Sequence, residues 1–411
     1  MRSILRSAEK NTCVNPLIFA VRFGRKKTDM DRLRGFVWKR LLSDCSYKVR
    51  FLRVMTLLFR PFIVVVLSIR CFAKFSRLVS NAYGIGKAHF FFCMLGVCLI
   101  HSVTPIHYCR HQFFLRKPTD VEAFLFGNEA SVLLPQLNDE PRSDTVDDKE
   151  KFYGICTKND LPIPEIFGIV GTEGTPTVLP DEDIVVKPIR GSKGSGIEIW
   201  KYVNNSFIGP EGDALGSTEL IDKIRSNAIM SGNRMIIQRR LFNHSVLSDL
   251  SKNALITVRI ITYRDPYGVF RVMNENMILS LGFDSDGIRQ AVAPINEETG
   301  RLGAAVPYGV IRKEFSTHPV TSAPILNVPV PYREEALSLA LRAHASFPDF
   351  FSLGWDIAIT DDGPVILETN KVWDAETVQR PNLYPIAQTG FAGAAVAAIR
   401  KKSKRNRATG E

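Results

Sequence analysis

The chain has 411 residues, 45% of them hydrophobic and 23% charged, and carries a net charge of +11. That composition excludes a disordered or fibrous chain and describes a globular one with room for two or three packed units. Residues 1–80 hold 18 Lys/Arg against 4 Asp/Glu, and the tail from Arg400 holds 6 against 1, so both ends are basic around a mildly acidic body. Basic ends attract phosphate-bearing surfaces, but no basic-aromatic motif of a nucleic-acid module accompanies them, so nucleic acid is not an expected partner. The 7 cysteines are irregularly spaced and include no CxxC pair. This argues against a disulfide framework or zinc site and for a reducing cytosol. The first thirty residues lack the apolar core and small-residue cleavage site of a secretory signal, so a cytoplasmic location is expected.

Residues 1–118 are the least readable. Two apolar runs, 61–69 and 88–104, fall short of bilayer-spanning length and read as buried or membrane-surface helices. Residues 48–77 set arginines among Leu, Val, Ile and Phe, a composition suited to a helix lying on anionic lipid, at the inner face of a membrane. A helix packed against the rest of the domain has the same composition. Residues 118–138 read as amphipathic helix, ending at the breaker-rich stretch 138–144, where the main domain boundary is expected. The expected division is 1–80 (basic segment), 81–143 (helical region), 144–399 (main domain) and 400–411 (basic tail).

Lys149 opens a helix directly after Asp148, which is also an ordinary capping arrangement. A short strand at 166–170 follows. In 183–200 a strand carries Lys187 at its end, a loop holds Gly191, Ser192, Gly194, Ser195 and Gly196, and a second strand returns. Such a loop can lay backbone N–H groups against phosphate without side-chain obstruction, with Lys187 as a point charge. It is not a P-loop, because no helix-opening GK[ST] follows. Helix is expected at 219–231 and strand at 234–238, ahead of Arg239-Arg240-Leu241. In the strand 254–263, Thr257 and Arg259 share one face and Ile256, Val258 and Ile260 the other. A turn at 265–268 leads into a strand at 269–276, and 332–345 reads as helix. Hairpins alternating with helices make the class α+β rather than doubly wound.

The last hairpin carries the chemistry. Strands at 355–360 and 364–368 flank Asp361-Asp362-Gly363, and a three-residue turn there would set Asp356 opposite Glu368. Asp356, Ala358 and Thr360 would then share a face with Ile366, Glu368 and Asn370, leaving Trp355, Ile357, Ile359, Val365 and Leu367 for the core. Two opposed carboxylates repel unless a cation lies between them. With the Asn370 amide oxygen the set is all hard oxygen, suited to Mg²⁺ or Mn²⁺. A solvated hairpin bearing ordinary surface acids is the alternative.

In order and in wording, DIVVKPIRGSKGSGI and GWDIAITDDGPVILETN resemble the signatures of the ATP-grasp superfamily. With LFNHSVLSDLSKNALITVRIIT, the chain is similar to its sugar-transfer-associated, alpha-L-glutamate-ligase-related branch over about residues 118–395. The resemblance implies two α+β subdomains clasping ATP, preceded by a mostly helical N-terminal region. It implies that Lys149 and Lys187 contact the phosphates, that the Gly191–Gly196 loop closes over them, and that Gln238, Arg239 and Leu241 meet adenine through backbone groups. Asp356, Glu368 and Asn370 would hold one or two Mg²⁺, and Arg259 would steady the transferred phosphoryl group or form a buried ion pair instead. His244 and His318 read as structural, and Trp373 and Gln379 as lining for an acceptor pocket. Where relatives show Asp-Asn before a Gly-Gly pair, this chain has Phe283-Asp284-Ser285-Asp286-Gly287, which leaves the substrate class open. The implied activity is ATP- and Mg²⁺-dependent joining of a carboxylate to an amine or similar nucleophile, in cell-surface polysaccharide or envelope assembly. A phosphotransferase on the same fold, or a non-catalytic ATP-binding partner of a membrane glycosyltransferase complex, are the alternatives.

Overall fold

A computed structural model describes residues 28–43, 46–138, 144–171, 178–191, 196–251, 254–284, 287–308 and 313–409. Ser192, Gly194 and Ser195 of the glycine-rich loop lie outside the described residues, as do the first 27 residues.

The described chain begins with a reciprocal cap. Asp31 N–H donates to Thr28 Oγ1, and Thr28 N–H to Asp31 Oδ2, each at 3.1 Å. Helix α1 (Asp29–Ser43) then buries Met30, Leu33, Val37 and Leu41 at spacings of three and four. Helices α2 (Tyr47–Leu58) and α3 (Arg60–Tyr83) meet at a bend of 68°. Gly84, at φ +67°, ends α3 in a left-handed cap that favours glycine. Helices α4 (Lys87–His101) and α5 (Pro105–Arg110) fold back on α3 around Val64, Val79, Phe90, Met94, Cys98 and Tyr108. Among the described residues no single helix is long and apolar enough to cross a membrane.

The helix expected over 118–138 is broken. A 3₁₀ turn at Pro118–Ala123 leads into extended backbone, and α6 starts only at Gly127 (Gly127–Leu137). The extended piece lets alternate residues serve two cores: Phe124 and Phe126 enter the core of α3–α5, while Leu125 enters a second one. A continuous helix could not split them that way.

Short helix α7 (Asp144–Asp147) precedes α8 (Lys149–Lys158), which is capped by Asp148 Oδ1 accepting from the Glu150 and Lys151 N–H groups. Next comes a smaller antiparallel sheet in the order β1-β6-β2-β3-β4-β5. Its strands are β1 (Ile166–Val170), β2 (Ile184–Pro188), β3 (Glu198–Val203), β4 (Ser206–Ile208), β5 (Ala214–Leu215) and β6 (Met235–Arg239). Helix α9 (Ser217–Ser231) packs Leu220, Ile221 and Ile224 on it against Ile184, Val186 and Trp200.

The larger sheet is also antiparallel, in the order β10-β9-β8-β7-β11-β12. It comprises β7 (Thr257–Arg264), β8 (Phe270–Asp284), β9 (Gly287–Pro294), β10 (Val306–Pro307), β11 (Ser352–Thr360) and β12 (Gly363–Asn370). Strand β8 runs 15 residues, well past the expected 269–276, because its far half pairs with β9. One face packs on α8 and on α10 (Arg333–Ser346), burying Ile256, Val258, Ile260, Trp355, Ile357 and Ile359 as the alternation in the sequence predicts. The other face is covered at one end by α1, α6 and α12 (Phe391–Thr409), with Ile261, Tyr263, Phe351 and Trp373. Gly354 lets Trp373 approach there: a Cβ at this position would lie 3.0 Å from both Trp373 Cβ and Ile261 Cδ1.

The β11–β12 hairpin differs from expectation in its turn. Thr360 pairs with Gly363, so the turn has two residues, and Asp356 reaches Glu368 through a bulge between Asp356 and Ile357 that takes up Leu367. The bulge also corrects the faces. Ile366, opposite Ile357, is fully buried in the core, whereas Val365 lies opposite Ala358 and is only partly buried.

Candidate active site

Four residues lie in line across four neighbouring strands: Asn276 on β8 opposite Arg259 on β7, Arg259 opposite Asp356 on β11, and Asp356 opposite Glu368 on β12. Directly opposed residues project from one face, so the larger sheet carries a polar row. Arg259 grips Asp356 in fork geometry, Nε donating to Oδ1 and Nη2 to Oδ2 at 2.8 Å. The buried ion pair foreseen as an alternative for Arg259 is therefore present. Burial pushes the Asp356 carboxyl above the usual range, as does the neighbouring Glu368, while Arg259 opposes the shift. Asn370 Nδ2 lies 3.5 Å from Asp356 Oδ2, and a half-turn of the amide would present its oxygen instead.

The basic side of the site comes from two other elements. Lys187, at the end of β2, is buried, and its Nζ donates to Tyr153 Oη at 2.8 Å. Tyr153 Oη in turn donates to the Leu367 carbonyl at 2.7 Å. Burial brings the Lys187 pKa down to about 7; Lys149 lowers it further and Glu368 raises it. Lys149 is likewise lowered by burial and raised by Glu368 and Asp148. Its Nζ donates at 3.4 Å to the carbonyls of Ile189 and Gly191 at the base of the glycine-rich loop. Both lysines thus sense Glu368, which joins them electrostatically to the polar row.

Gly191 and Gly196 flank the loop, and Gly196 has φ +74°. Gln238 and Arg239 close β6, with Leu241 just beyond. Gln238 is buried, and among the described residues its Oε1 has no partner. The Arg239 guanidinium turns outward to Glu182 and Glu165, leaving its backbone as the part that lines the strand end.

Two expected lining residues are corrected. Trp373 is buried in the second core and donates to Ser352 Oγ at 3.0 Å. Gln379 is fully buried, its Nε2 donating to the Leu125 and Ala375 carbonyls and its Oε1 accepting from the Leu125 and Ile386 N–H groups. Neither side chain has a polar atom left for a ligand, because each stitches the second core together. His244 caps a 3₁₀ turn, and His318 bonds the Ser280 carbonyl and the N–H groups of Val320 and Thr321. The segment 283–287 is a β8–β9 connection, of which Ser285 and Asp286 lie outside the described residues.

Sequence reasoning missed Tyr153 and Asn276. Tyr153 follows Lys149 by four residues, hence one turn up the same helix face, and that spacing was a usable signal. Asn276 had none, since only the β7–β8 register sets it beside Arg259. It is buried, and among the described residues its Oδ1 has no partner. Tyr308 and Thr377 flank this end of the row with hydroxyls 3.0 Å apart, over a small cavity also lined by Val292, Val306 and Arg380.

The donor set tolerates a divalent cation. Among the described residues no three His, Cys, Asp or Glu side chains gather, but Mg²⁺ commonly takes only one or two carboxylates, the rest of its shell being water and phosphate. Two opposed carboxylates whose proximity raises a pKa are a donor pair of that kind.

A family model described as sugar-transfer associated ATP-grasp matches residues 128–388. Similar solved structures include D-alanine–D-alanine ligase from Bacillus anthracis, at 12% identity over 65% of this chain and 72% of that one, with a TM-score of 0.37. N5-carboxyaminoimidazole ribonucleotide synthetase from Thermotoga maritima matches at 14% identity over 56% and 42%, with a TM-score of 0.30. L-amino acid ligase from Bacillus licheniformis matches at 12% identity over 66% and 55%, with a TM-score of 0.35. A search of curated proteins returned no match.

Proposed function

The chain belongs to the sugar-transfer-associated ATP-grasp family, and from that premise we propose that it is an ATP- and Mg²⁺-dependent ligase joining a carboxylate to an amine or similar nucleophile. The observation that carries this reading is the polar row Asn276–Arg259–Asp356–Glu368, met at its Glu368 end by Lys149 and Lys187. Phosphoryl transfer needs positive groups around a nucleotide's phosphates and a place for a divalent ion beside them. In this proposal Lys149, Lys187 and the loop from Gly191 to Gly196 bind the phosphates. The strand end at Gln238, Arg239 and Leu241 receives the base. Asp356, Glu368 and Asn370 hold the ion, which when bound neutralises charge developing on the phosphates. A substrate carboxylate oxygen attacks the γ-phosphorus and the bond to the β-phosphate oxygen breaks, releasing ADP. The amine then attacks the acyl carbon, phosphate leaves, and the nitrogen loses its proton. Arg259, anchored by Asp356, faces the acyl-phosphate end of the row. Residues 144–399 are proposed as the catalytic unit. Its service in surface-polysaccharide or envelope assembly is part of the proposal and rests on the family description.

Calorimetric titration of the full chain with AMP-PNP, with and without Mg²⁺, tests the reading first. Magnesium-dependent binding supports it, and absence of binding removes it. Glu368→Gln is expected to abolish Mg·ATP turnover in a protein that still folds; full activity in that variant would sink the ion assignment. A phosphorylated acceptor, in place of a joined product and free phosphate, would make the enzyme a phosphotransferase.

We also propose that the helical region contacts an anionic membrane surface. Residues 46–119 contain 11 Lys/Arg and no Asp or Glu. On α2–α4 this stretch leaves large apolar side chains in solvent, among them Phe51 (56%), Phe62 (54%), Phe92 (68%) and Ile100 (73%). Basic residues interleaved with exposed aromatic and aliphatic ones match an anionic bilayer interface in both charge and polarity.

A further inference from the structure

We propose that Tyr153 is a positioning residue, whose hydroxyl aims the Lys187 ammonium at the nucleotide phosphates by tying it to the strand that carries Glu368. The inference rests on the ligase reading and adds a residue that neither the family motif nor the loop chemistry supplies.

Three elements meet at this one oxygen. Tyr153 comes from α8, Lys187 from β2 of the smaller sheet, and Leu367 from β12 at the edge of the larger sheet. The hydrogen-bond directions are fixed. The Leu367 carbonyl can only accept, so the single Tyr153 proton goes to it and the Tyr153 lone pairs face the Lys187 N–H. Among the described residues no other acceptor meets the ammonium, which leaves its remaining two protons for a ligand.

Leu367 is the residue taken up by the β-bulge that sets Glu368 opposite Asp356. Leu367 lies on the edge strand of the sheet, and its carbonyl accepts from the Tyr153 hydroxyl. One hydroxyl therefore fixes both the phosphate lysine and the backbone beside Glu368. Without it, Lys187 would keep only the attraction of Glu368 as a guide, and an ammonium drawn to that carboxylate is drawn away from phosphate. A purely packing role would not need the oxygen: the ring already packs with Phe152 at 5.4 Å in the core beneath the sheet, and phenylalanine would fill the same space.

The test uses full-length wild type, Tyr153→Phe, Lys187→Met and the double variant, titrated calorimetrically with AMP-PNP and with adenosine in the presence of Mg²⁺. Tyr153→Phe is expected to weaken AMP-PNP about tenfold or more, the scale of a hydrogen bond to a charged group, with adenosine held within about twofold. That split between triphosphate and nucleoside is what a merely structural role would not produce. In the double variant the two losses should not add, because Tyr153 acts through Lys187. Unchanged AMP-PNP affinity in Tyr153→Phe, equal weakening of both ligands, or additive losses would each overturn the proposal. Failure of the wild type itself to bind AMP-PNP would instead overturn the ligase reading on which it stands.

Discussion

Lys187 sits in an environment far from what its type would suggest. It is a lysine sealed inside the fold, with a pKa of about 7 against an ordinary 10.5, lowered first by burial and then by Lys149. A lysine with a depressed pKa costs the fold most below about pH 7, where it is charged in both states but buried only in the folded one. The cost fades as pH rises from there towards the unfolded value. Lys187→Met is therefore expected to be more stable than wild type near pH 6, and the gap should narrow by on the order of 2 kcal/mol by about pH 9. Urea unfolding at the two pH values checks this, and a gap that widens with pH would contradict it. Retention of so costly a residue is consistent with a ligand-facing task. The sequence marked Lys187 by its place before a glycine-rich loop and offered Tyr153 only by its spacing from Lys149; the bond between the two side chains is made in the fold.

At the level of elements, the β11–β12 hairpin shows a correct conclusion reached by a different route. A three-residue turn and a two-residue turn followed by a bulge both put Glu368 opposite Asp356, because each adds one residue to the same strand. They differ in which side chains enter the core: Ile366 is buried only with the bulge below it. The turn chosen depends on Gly363, whose φ of +116° lies where a side chain is strained, and on Thr360 Oγ1 donating to the Gly363 carbonyl at 2.8 Å. Gly363→Ala should lose roughly 1–3 kcal/mol of stability, measured as a shift of the urea midpoint at constant slope. No loss would mean that the turn does not govern this register.

For the whole molecule, the helical region and the larger sheet are bound by polar contacts that bridge distant parts of the chain. Asn138 Oδ1 accepts from the N–H groups of Phe351 and Ser352, and its Nδ2 donates to the carbonyls of Ser352 and Lys371, at 2.8–3.3 Å. Within α11 (Ala375–Gln379), the buried Glu376 meets His107 Nε2 at 2.8 Å and Arg110 Nη1 at 3.1 Å. Burial would raise the Glu376 carboxyl, but these partners hold it well below the usual range. Contact with a membrane is a property of this scale, since it needs the surface of several helices together. Removing residues 1–77 would cut α3 and take Val64, Leu67 and Phe75 from the core of α3–α5, so point substitutions are the cleaner probe. The full chain is expected to sediment with phosphatidylglycerol-containing vesicles and not with pure phosphatidylcholine, less at high salt, and less after Phe51→Ser with Phe62→Ser. Equal binding to both vesicle types, or none to either, would end the membrane proposal.

By itself the sequence determined the α+β class, the strand carrying Arg259 and the lysine ahead of the glycine-rich loop, whereas the pairing of Asp356 with Glu368 rests on a bulge that only the structure shows. The first three follow from short-range periodicity and turn chemistry, which act between residues close along the chain. Only the tertiary structure decided that 118–138 breaks to feed two cores, that Trp373 and Gln379 are spent on packing, and that Asn276 and Tyr153 join the site. Each of those outcomes depends on which distant element ends up alongside, and that is set by burial competing across the whole fold.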